Sequence, residues 1–371
     1  MLATTPLPPT VLDAAAAIAV PREAPADSFV LHAPLELMAR VGLLPYLDAE
    51  TRLAALARIE TLTDRFTASG PAAPAPAPRR FDDPPAAVSH LAGAIAASDL
   101  DDVDATMIWL TAHAAPGELR QLLGEAVVDA LGAAAHTPIG LYLLPTVASG
   151  RLPASLLRGP VRELARHPDW RLDWFRSASD ATANEHDDLA GALRSVPHLG
   201  RPGSDFIFPL MSQAQQSGAA ANALGTLIDH ADHADQTTER HTLLRAAAWS
   251  MLHDDPEQAP YGWTHCLTMP QAVLALAGDG VTPRTALAVA ATYVVGFRAA
   301  HGLEPLGRLD DAATIDAPTN VTDLVTFASL HDDAHVVKYT LACLLAADDD
   351  PAWAGTYLAA AHYLGEWWRS H

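Results

Sequence analysis

Lysine is almost absent from this sequence of 371 residues. Of its 23 basic residues 22 are arginine, and the one lysine is Lys338. Arginine stays protonated when it is buried, whereas a buried lysine can lose its proton and become a nucleophile or a ligand precursor. Lys338 is therefore a candidate for chemistry that a guanidinium group cannot perform, unless it is a chance survivor of a coding bias toward alanine and arginine.

Cysteine and positive charge are scarce too. Two cysteines, Cys266 and Cys343, cannot build a disulfide framework, which favours a reducing compartment. The formal net charge of −21 would repel nucleic acid and anionic membranes. No basic residue lies in 1–10, so a secretory signal is not expected, and the apolar stretch 285–297 is too short to span a membrane. We expect a cytoplasmic protein with no nucleic-acid and no membrane partner.

Alternating runs of β-branched residues are rare, so strands are not predicted. Apolar residues instead recur at helical spacing, as in 35–47 and 51–65. The proline-rich segment 71–85 is incompatible with a helix or a central strand, which indicates an exposed connector. The predicted fold class is all-α: one large helical bundle-like domain over 1–371, with 71–85 as a surface excursion.

Histidine is abundant, with 17 residues, and four of them lie in apolar or small-residue surroundings: His32, His136, His265 and His335. Neutral imidazole is the commonest protein ligand of metals. A buried imidazole needs partners for both ring nitrogens, and a metal ion supplies one of them. Each of the four alone is better explained as a hydrogen-bonded core residue, but their number predicts a metal site.

The segment 331–338 carries the clearest pattern. On a helix His335 and Lys338 are three residues apart and share one face, and His331, expected at the helix N-cap, falls on that face too. The choice between His331 and His335 as a ligand stays open. A protonated lysine would repel a cation, so Lys338 has to be neutral or modified. Addition of CO2 to the neutral amine gives a carbamate, which is an anionic oxygen ligand.

Four motifs in this order resemble the questin oxidase-like family. They are Leu31-His32-Ala33-Pro34-Leu35 for the family's Asn-His-x-Pro-Met, Gly132 to Ile139 for Gly-Ala-x-x-His-x-x-Ile, His265 with Thr268, Pro270 and Ala272 for His-x-x-Thr-x-Pro-x-Ala, and His335-Val-Val-Lys338 for His-x-Ile-Lys. Leu31 stands where the family has Asn, and Val337 where it has Ile. The first departure affects a position beside a histidine and could alter a hydrogen bond that tunes the metal or the substrate.

The resemblance implies a non-haem Fe(II) oxygenase. Its iron would be bound by His32, His136, His265, His335 and the CO2-derived carbamate of Lys338, with His335 and Lys338 as catalytic residues. Four neutral imidazoles and one carbamate would leave Fe(II) with a net charge of +1 and one of six octahedral positions open. The implied reaction is ring cleavage or Baeyer–Villiger-like insertion by O2 into an aromatic polycyclic substrate of the quinone or polyketide type. Because no GxGxxG motif is present, NADPH would act only as an external reductant.

Other interpretations stay open at this point. The pairs His186-Asp187, His253-Asp254 and His331-Asp332 are also typical of HD-type metal-dependent phosphohydrolases, although such dipeptides arise readily in this composition. A non-catalytic helical scaffold or carrier would treat the four histidines as core residues. Four aromatic residues near the predicted ligands are suited to stacking on a flat substrate or to core packing: Trp109, Tyr142, Tyr261 and Trp263. The substrate and the oligomeric state are not predicted.

Overall fold

Helices supply the regular structure of this protein. A computed structural model describes residues 6–176, 188–203, 206–229, 236–303, 305–307, 309 and 320–371. These ranges contain seventeen α-helices and no strand, only three isolated β-bridges. The predicted all-α class is therefore confirmed.

The helices are numbered in chain order. They are α1 (Pro9–Ile18), α2 (Ser28–Leu43), α3 (Ala49–Ala68), α4 (Pro84–Ala96), α5 (Leu100–His113), α6 (Pro116–Val127), α7 (His136–Thr146), α8 (Arg158–Leu164), α9 (Leu189–Arg194), α10 (Ile207–Gln216), α11 (Ala219–Asp229), α12 (Gln236–His253), α13 (Thr264–Ala275), α14 (Pro283–His301), α15 (Val321–Leu330), α16 (Ala334–Asp349) and α17 (Ala354–Ser370). A short π-helix, Ala259–Trp263, leads directly into α13, and a 3-10 segment, Gly132–Ala135, leads into α7.

Aspartate begins many of these helices. Its carboxylate at the N-cap accepts a hydrogen bond from a backbone N–H of the first turn, which would otherwise lack a partner. Each such cap contributes about 1 kcal/mol. The capping residues are Asp27, Asp48, Asp83, Asp99, Asp188 and Asp333. Part of the large acidic excess is thus explained by helix starts.

Four helices form a closed ring, which we call the helix ring. α2 packs against α7 and α16, and α13 packs against the same two helices from the other side. The remaining helices surround this ring, and the buried apolar side chains form one continuous core from Val11 to Leu364. Side chains that point inward from facing helices of such a bundle can meet at one point, as in many metal proteins.

The long apolar stretch 285–297 lies within α14. Every residue from Ala286 to His301 is buried, so this helix is part of the core. Within the described ranges, none of the helices has both the length and the apolar character that a bilayer crossing requires.

The connector prediction is confirmed for residues 71–83, which are non-helical and mostly exposed. Ala72 pairs with Arg22 in an isolated β-bridge at one end, and Arg79 Nε donates to Asp102 Oδ1 at 2.7 Å near the other. The predicted end of the connector at residue 85 is wrong: Pro84 and Pro85 lie in the first turn of α4, where proline is well accommodated.

Three further predicted boundaries are wrong. His32 lies inside α2 and not before it, since Asp27 starts the helix early and Pro34 is tolerated within it. An interior proline costs about 3 kcal/mol, and the burial of nearly all of α2 after Leu31 offsets that cost. The helical pattern of 116–144 predicts a break at Thr137-Pro138, but the break lies at residues 128–135. The pattern that starts at Thr268 predicts a later start for α13 than the observed Thr264.

Candidate metal centre

Four buried histidines meet inside the helix ring, one from each of its helices. We call His32 of α2, His136 of α7, His265 of α13 and His335 of α16 the histidine cluster; none is more than 7% exposed. The ring centroids of His32 lie 4.4 Å from those of both His136 and His335. The centroid of His265 lies 5.1 Å from that of His335 and 5.4 Å from that of His136. Residues far apart in sequence thus converge on one point.

The ring nitrogens have spacings suited to a single ion. One nitrogen each from His32, His265 and His335 lie within 4.8 Å of one another. His136 Nε2 lies 3.2 Å from His265 Nε2. With metal–nitrogen bonds of about 2.1 Å, ligands at right angles lie roughly 3.0 Å apart and opposite ligands roughly 4.2 Å apart. His32, His265 and His335 come near this spacing, whereas His136 is not part of that group of three and would have to move to join a shared ion.

Three of the imidazoles are oriented by oxygen atoms at Nδ1. The partners are the Ser28 carbonyl oxygen for His32, the Tyr261 carbonyl oxygen for His265 at 2.5 Å, and Asp333 Oδ1 for His335 at 2.9 Å. A carbonyl or ionised carboxylate oxygen only accepts, so each Nδ1 donates its proton. The lone pair is then on Nε2, and this arrangement is the usual one around protein-bound metals.

His136 is held differently. It is the first residue of α7, and Ala133, Ala134 and Ala135 before it have left-handed φ angles of 52°, 50° and 56°. Left-handed backbone costs an L-residue roughly 1–2 kcal/mol, so the turn that delivers His136 is strained. His136 Nδ1 is buried without a hydrogen-bond partner, while its Nε2 donates to the unprotonated Nε2 of His265 at 3.2 Å.

Lys338 lies on the same helix as His335, one turn further along. It is 4% exposed, and its Nζ has no hydrogen-bond partner. Burial lowers the pKa of Lys338 to about 7, although the carboxylates of Asp333 and Glu36 act in the opposite direction. An ammonium group would normally pair with an acceptor at such a place. The unpartnered nitrogen is instead available as a neutral amine near neutral pH, and that is the form that reacts with CO2.

Burial also keeps the histidines neutral. It lowers the pKa of His32, His136 and His265 well below the ordinary value, and the positive charge of Lys338 lowers it further. The pKa of His335 is lowered by burial as well, against the raising effect of its bond to Asp333. At neutral pH the cluster therefore presents unprotonated imidazoles, the form that binds metal ions.

Sequence reasoning missed the charged residues around the cluster. Glu36 lies one turn after His32 in α2 and forms a buried ion pair with Arg40 at 2.6 Å. Arg40 also donates to the carbonyl oxygens of Ser329 at 2.8 Å and His331 at 2.7 Å, which ties α2 to the segment before α16. The four-residue spacing of His32, Glu36 and Arg40 is a helical-face pattern that could have indicated this pair.

His331 lies outside the cluster. It follows α15, and Asp333, not His331, is the N-cap of α16, which corrects the predicted cap. The His331 ring packs against Phe327 and Trp368 with centroid distances of 5.2 Å. Of the two histidines left open by the sequence, the structure brings His335 to the other three.

Of the four aromatic residues near the predicted ligands, Tyr261 contacts the cluster. Its ring lies edge-on to His335 with a centroid distance of 5.0 Å, and the residue is 52% exposed. Trp263 is fully buried and donates to the Asp255 carbonyl oxygen at 2.9 Å, so it is a core residue. Trp109 stacks on His113, and burial raises the pKa of Tyr142 to about 12.

The histidine–aspartate pairs have other partners. Asp254 forms a buried ion pair with Arg298 at 2.7 Å, and Asp332 pairs with Arg58. His186-Asp187 lies outside the described residues. In both described pairs the aspartate is therefore neutralised by arginine rather than aimed at the histidine cluster.

Fold and cluster together define an all-α protein with a buried group of four histidines and one lysine between facing helices. Comparisons of the chain with protein-family models, curated proteins and solved structures gave no match. The function therefore has to be inferred from the chemistry of the cluster.

Proposed function

We propose that this protein is a non-haem Fe(II) oxygenase that acts on an aromatic polycyclic substrate of the quinone or polyketide type. The observation that carries the proposal is the convergence of four buried, neutral histidines around the one lysine of the sequence. The four motifs that resemble the questin oxidase-like family contribute these same residues, which supports the assignment from a second direction.

The donors fit a bound cation better than they fit a metal-free core. His32 Nε2, His136 Nδ1 and Lys338 Nζ are buried polar atoms without partners, and such groups are rare because each costs about 1–3 kcal/mol. A metal ion would satisfy His32 Nε2 and would replace the hydrogen bond between the Nε2 atoms of His136 and His265. Nitrogen and oxygen donors of this kind suit iron, since structural zinc usually closes with four ligands.

Lys338 would act as its carbamate. The apolar surroundings that lower its pKa favour the neutral amine, whose nitrogen attacks CO2 and releases one proton as the carbamate forms. The product is an anionic oxygen donor on the face of α16 that also carries His335. An arginine at this position could not be modified in this way.

The proposal includes a substrate and a reductant, and the surroundings of the cluster bear on the substrate. When bound, Fe(II) would supply the one-electron chemistry that allows O2 to react with a phenolic or quinone ring. Tyr261 would orient a flat aromatic substrate, since its half-exposed ring lies against His335. NADPH would serve as an external reductant where the reaction needs one.

Metal analysis with variants tests the proposal. Purified protein should bind about one equivalent of Fe(II), and Lys338→Arg should lose most of it while its circular dichroism stays helical. His331→Gln is the matched control, because His331 lies just before the same helix but outside the cluster. Uptake of O2 with a panel of hydroxyanthraquinones should require both iron and Lys338. Full iron occupancy in Lys338→Arg would refute the carbamate.

The scaffold and the phosphohydrolase interpretations predict different results in these assays. A scaffold or carrier would remain metal-free, and its stability would not change with a chelator. A phosphohydrolase would release phosphate with Mn2+ or Mg2+ without consuming O2. The ion pairs of Asp254 and Asp332 with arginines give the hydrolase no free carboxylate in the described pairs.

A further inference from the structure

We propose that Asp333 is a positioning residue that fixes the tautomer and orientation of His335 and makes it the strongest histidine donor of the cluster. This inference rests on the proposed metal centre. It concerns the metal-binding step and not the oxidation that follows.

One carboxylate oxygen of Asp333 accepts hydrogen bonds from two donors of His335. Asp333 Oδ1 accepts from the backbone N–H of His335 at 2.7 Å and from His335 Nδ1 at 2.9 Å. The main chain and the ring of His335 are therefore held by a single atom. The side chain of Asp333 is 23% exposed and that of His335 7% exposed, so water competes little for these bonds.

The other oriented histidines lack this charge. Their Nδ1 atoms donate to the neutral carbonyl oxygens of Ser28 and Tyr261. A hydrogen bond to a carboxylate is roughly twice as strong as one between neutral groups. It draws the Nδ1 proton away from the ring and raises the electron density on Nε2, so His335 becomes the most basic donor.

A purely structural role for Asp333 has to be separated from this one, because the residue is also the N-cap of α16. Asp48 offers the matched control: it caps α3 by accepting from the Thr51 N–H at 2.8 Å and has no histidine partner. Asparagine caps helices about as well as aspartate. Asp333→Asn thus keeps the cap and an acceptor for Nδ1 but removes the charge, whereas Asp333→Ser keeps a cap but cannot hold both donors.

The experiment is a titration of the metal-free full-length protein with Co2+, in which binding is monitored by the visible absorption of the bound ion. We expect Asp333→Asn to bind Co2+ about 10–100-fold more weakly than the parent, with a changed spectrum. Asp48→Asn should bind as the parent does. Equal Co2+ affinity and an unchanged spectrum in Asp333→Asn would overturn the inference.

Nitrogen-15 NMR of the metal-free protein supplies a second readout. His335 should carry its proton on Nδ1 in the parent and in Asp333→Asn, and should show a tautomer mixture in Asp333→Ser. A mixture in the parent would refute the positioning role. If the parent binds no Co2+, Fe2+ or Zn2+, the proposed metal centre fails, and the tautomer result still decides what Asp333 does to His335.

Discussion

Single residues set the protonation of the candidate centre. Four imidazoles and one amine are buried together, and burial acts on all five in the same direction by disfavouring their charged forms. Asp333 and Glu36 oppose this effect at Lys338 without cancelling it. At pH 7 the imidazoles are therefore neutral, while Lys338, with a pKa of about 7, is divided between the ammonium and the neutral amine.

This burial predicts that the metal-free protein is destabilised by acid. Between the lowered folded-state pKa values and 6.5, the unfolded chain binds protons that the native cluster excludes. The free energy of unfolding should therefore fall as the pH drops below 6.5, by up to about 1.4 kcal/mol per pH unit for each histidine. Urea unfolding between pH 5 and pH 7, in the presence of a chelator, measures this slope.

His265→Gln is the informative variant for that experiment. It removes one buried imidazole that titrates. The slope of the unfolding free energy against pH should therefore decrease by the equivalent of about one proton bound on unfolding. A parent slope no steeper than that of His265→Gln would show that the buried histidine is already protonated in the native protein.

The residue scale also shows what sequence could and could not predict. Apolar surroundings singled out the four histidines of the cluster, and rarity singled out Lys338, because burial and lysine chemistry are local properties. Asp333, Glu36 and Arg40 were not predicted. Their roles depend on which helices face one another, and one sequence does not contain that information.

At the scale of secondary-structure elements, unusual backbone conformations position two histidines of the cluster, His265 and His136. The π-helix Ala259–Trp263 directs the Tyr261 carbonyl oxygen to His265 Nδ1, and π-helical turns are frequent at functional sites. The left-handed turn at Ala133–Ala135 sets the start of α7 at His136. Sequence patterns placed neither boundary, because Pro260 and Gly262 are typical of loops and consecutive alanines are typical of right-handed helices.

The strained turn leads to a prediction about stability. Ala134→Gly should raise the free energy of unfolding by about 0.5–1 kcal/mol, because glycine adopts positive φ without the steric cost that alanine incurs. Ala54→Gly, at an exposed position in right-handed α3, should lower it by about 1 kcal/mol. Equilibrium denaturation measures both, and destabilisation of equal size in the two variants would contradict the left-handed conformation.

At the scale of the whole molecule, the helix ring and the surrounding core form one unit, from which residues 71–83 extend along the surface. The overall class and this excursion were predictable, since helical periodicity and proline are strong local signals. The closed arrangement of α2, α7, α13 and α16 was not, because the order of helices along the chain does not determine which of them pack together.

We expect the exposed segment 71–83 to contribute to stability but not to metal binding. Replacing residues 74–78 with a glycine–serine segment of equal length should lower the free energy of unfolding by about 1–3 kcal/mol, since three prolines no longer restrict the unfolded chain. Co2+ affinity and the helical circular dichroism should not change. The double variant Ala75→Ser/Ala77→Ser keeps the prolines and should stay within about 0.5 kcal/mol of the parent. Weaker Co2+ binding in the glycine–serine variant would show that the segment supports the histidine cluster.

The donors follow one another along the chain in the order His32, His136, His265, His335 and Lys338. During translation, the final two emerge from the ribosome long after the first. A nascent polypeptide can therefore offer only an incomplete set of nitrogens, to which any transition metal would bind loosely. In the proposed metal centre, selection of the ion would therefore fall to the folded protein, because only its packed helices bring the donors together.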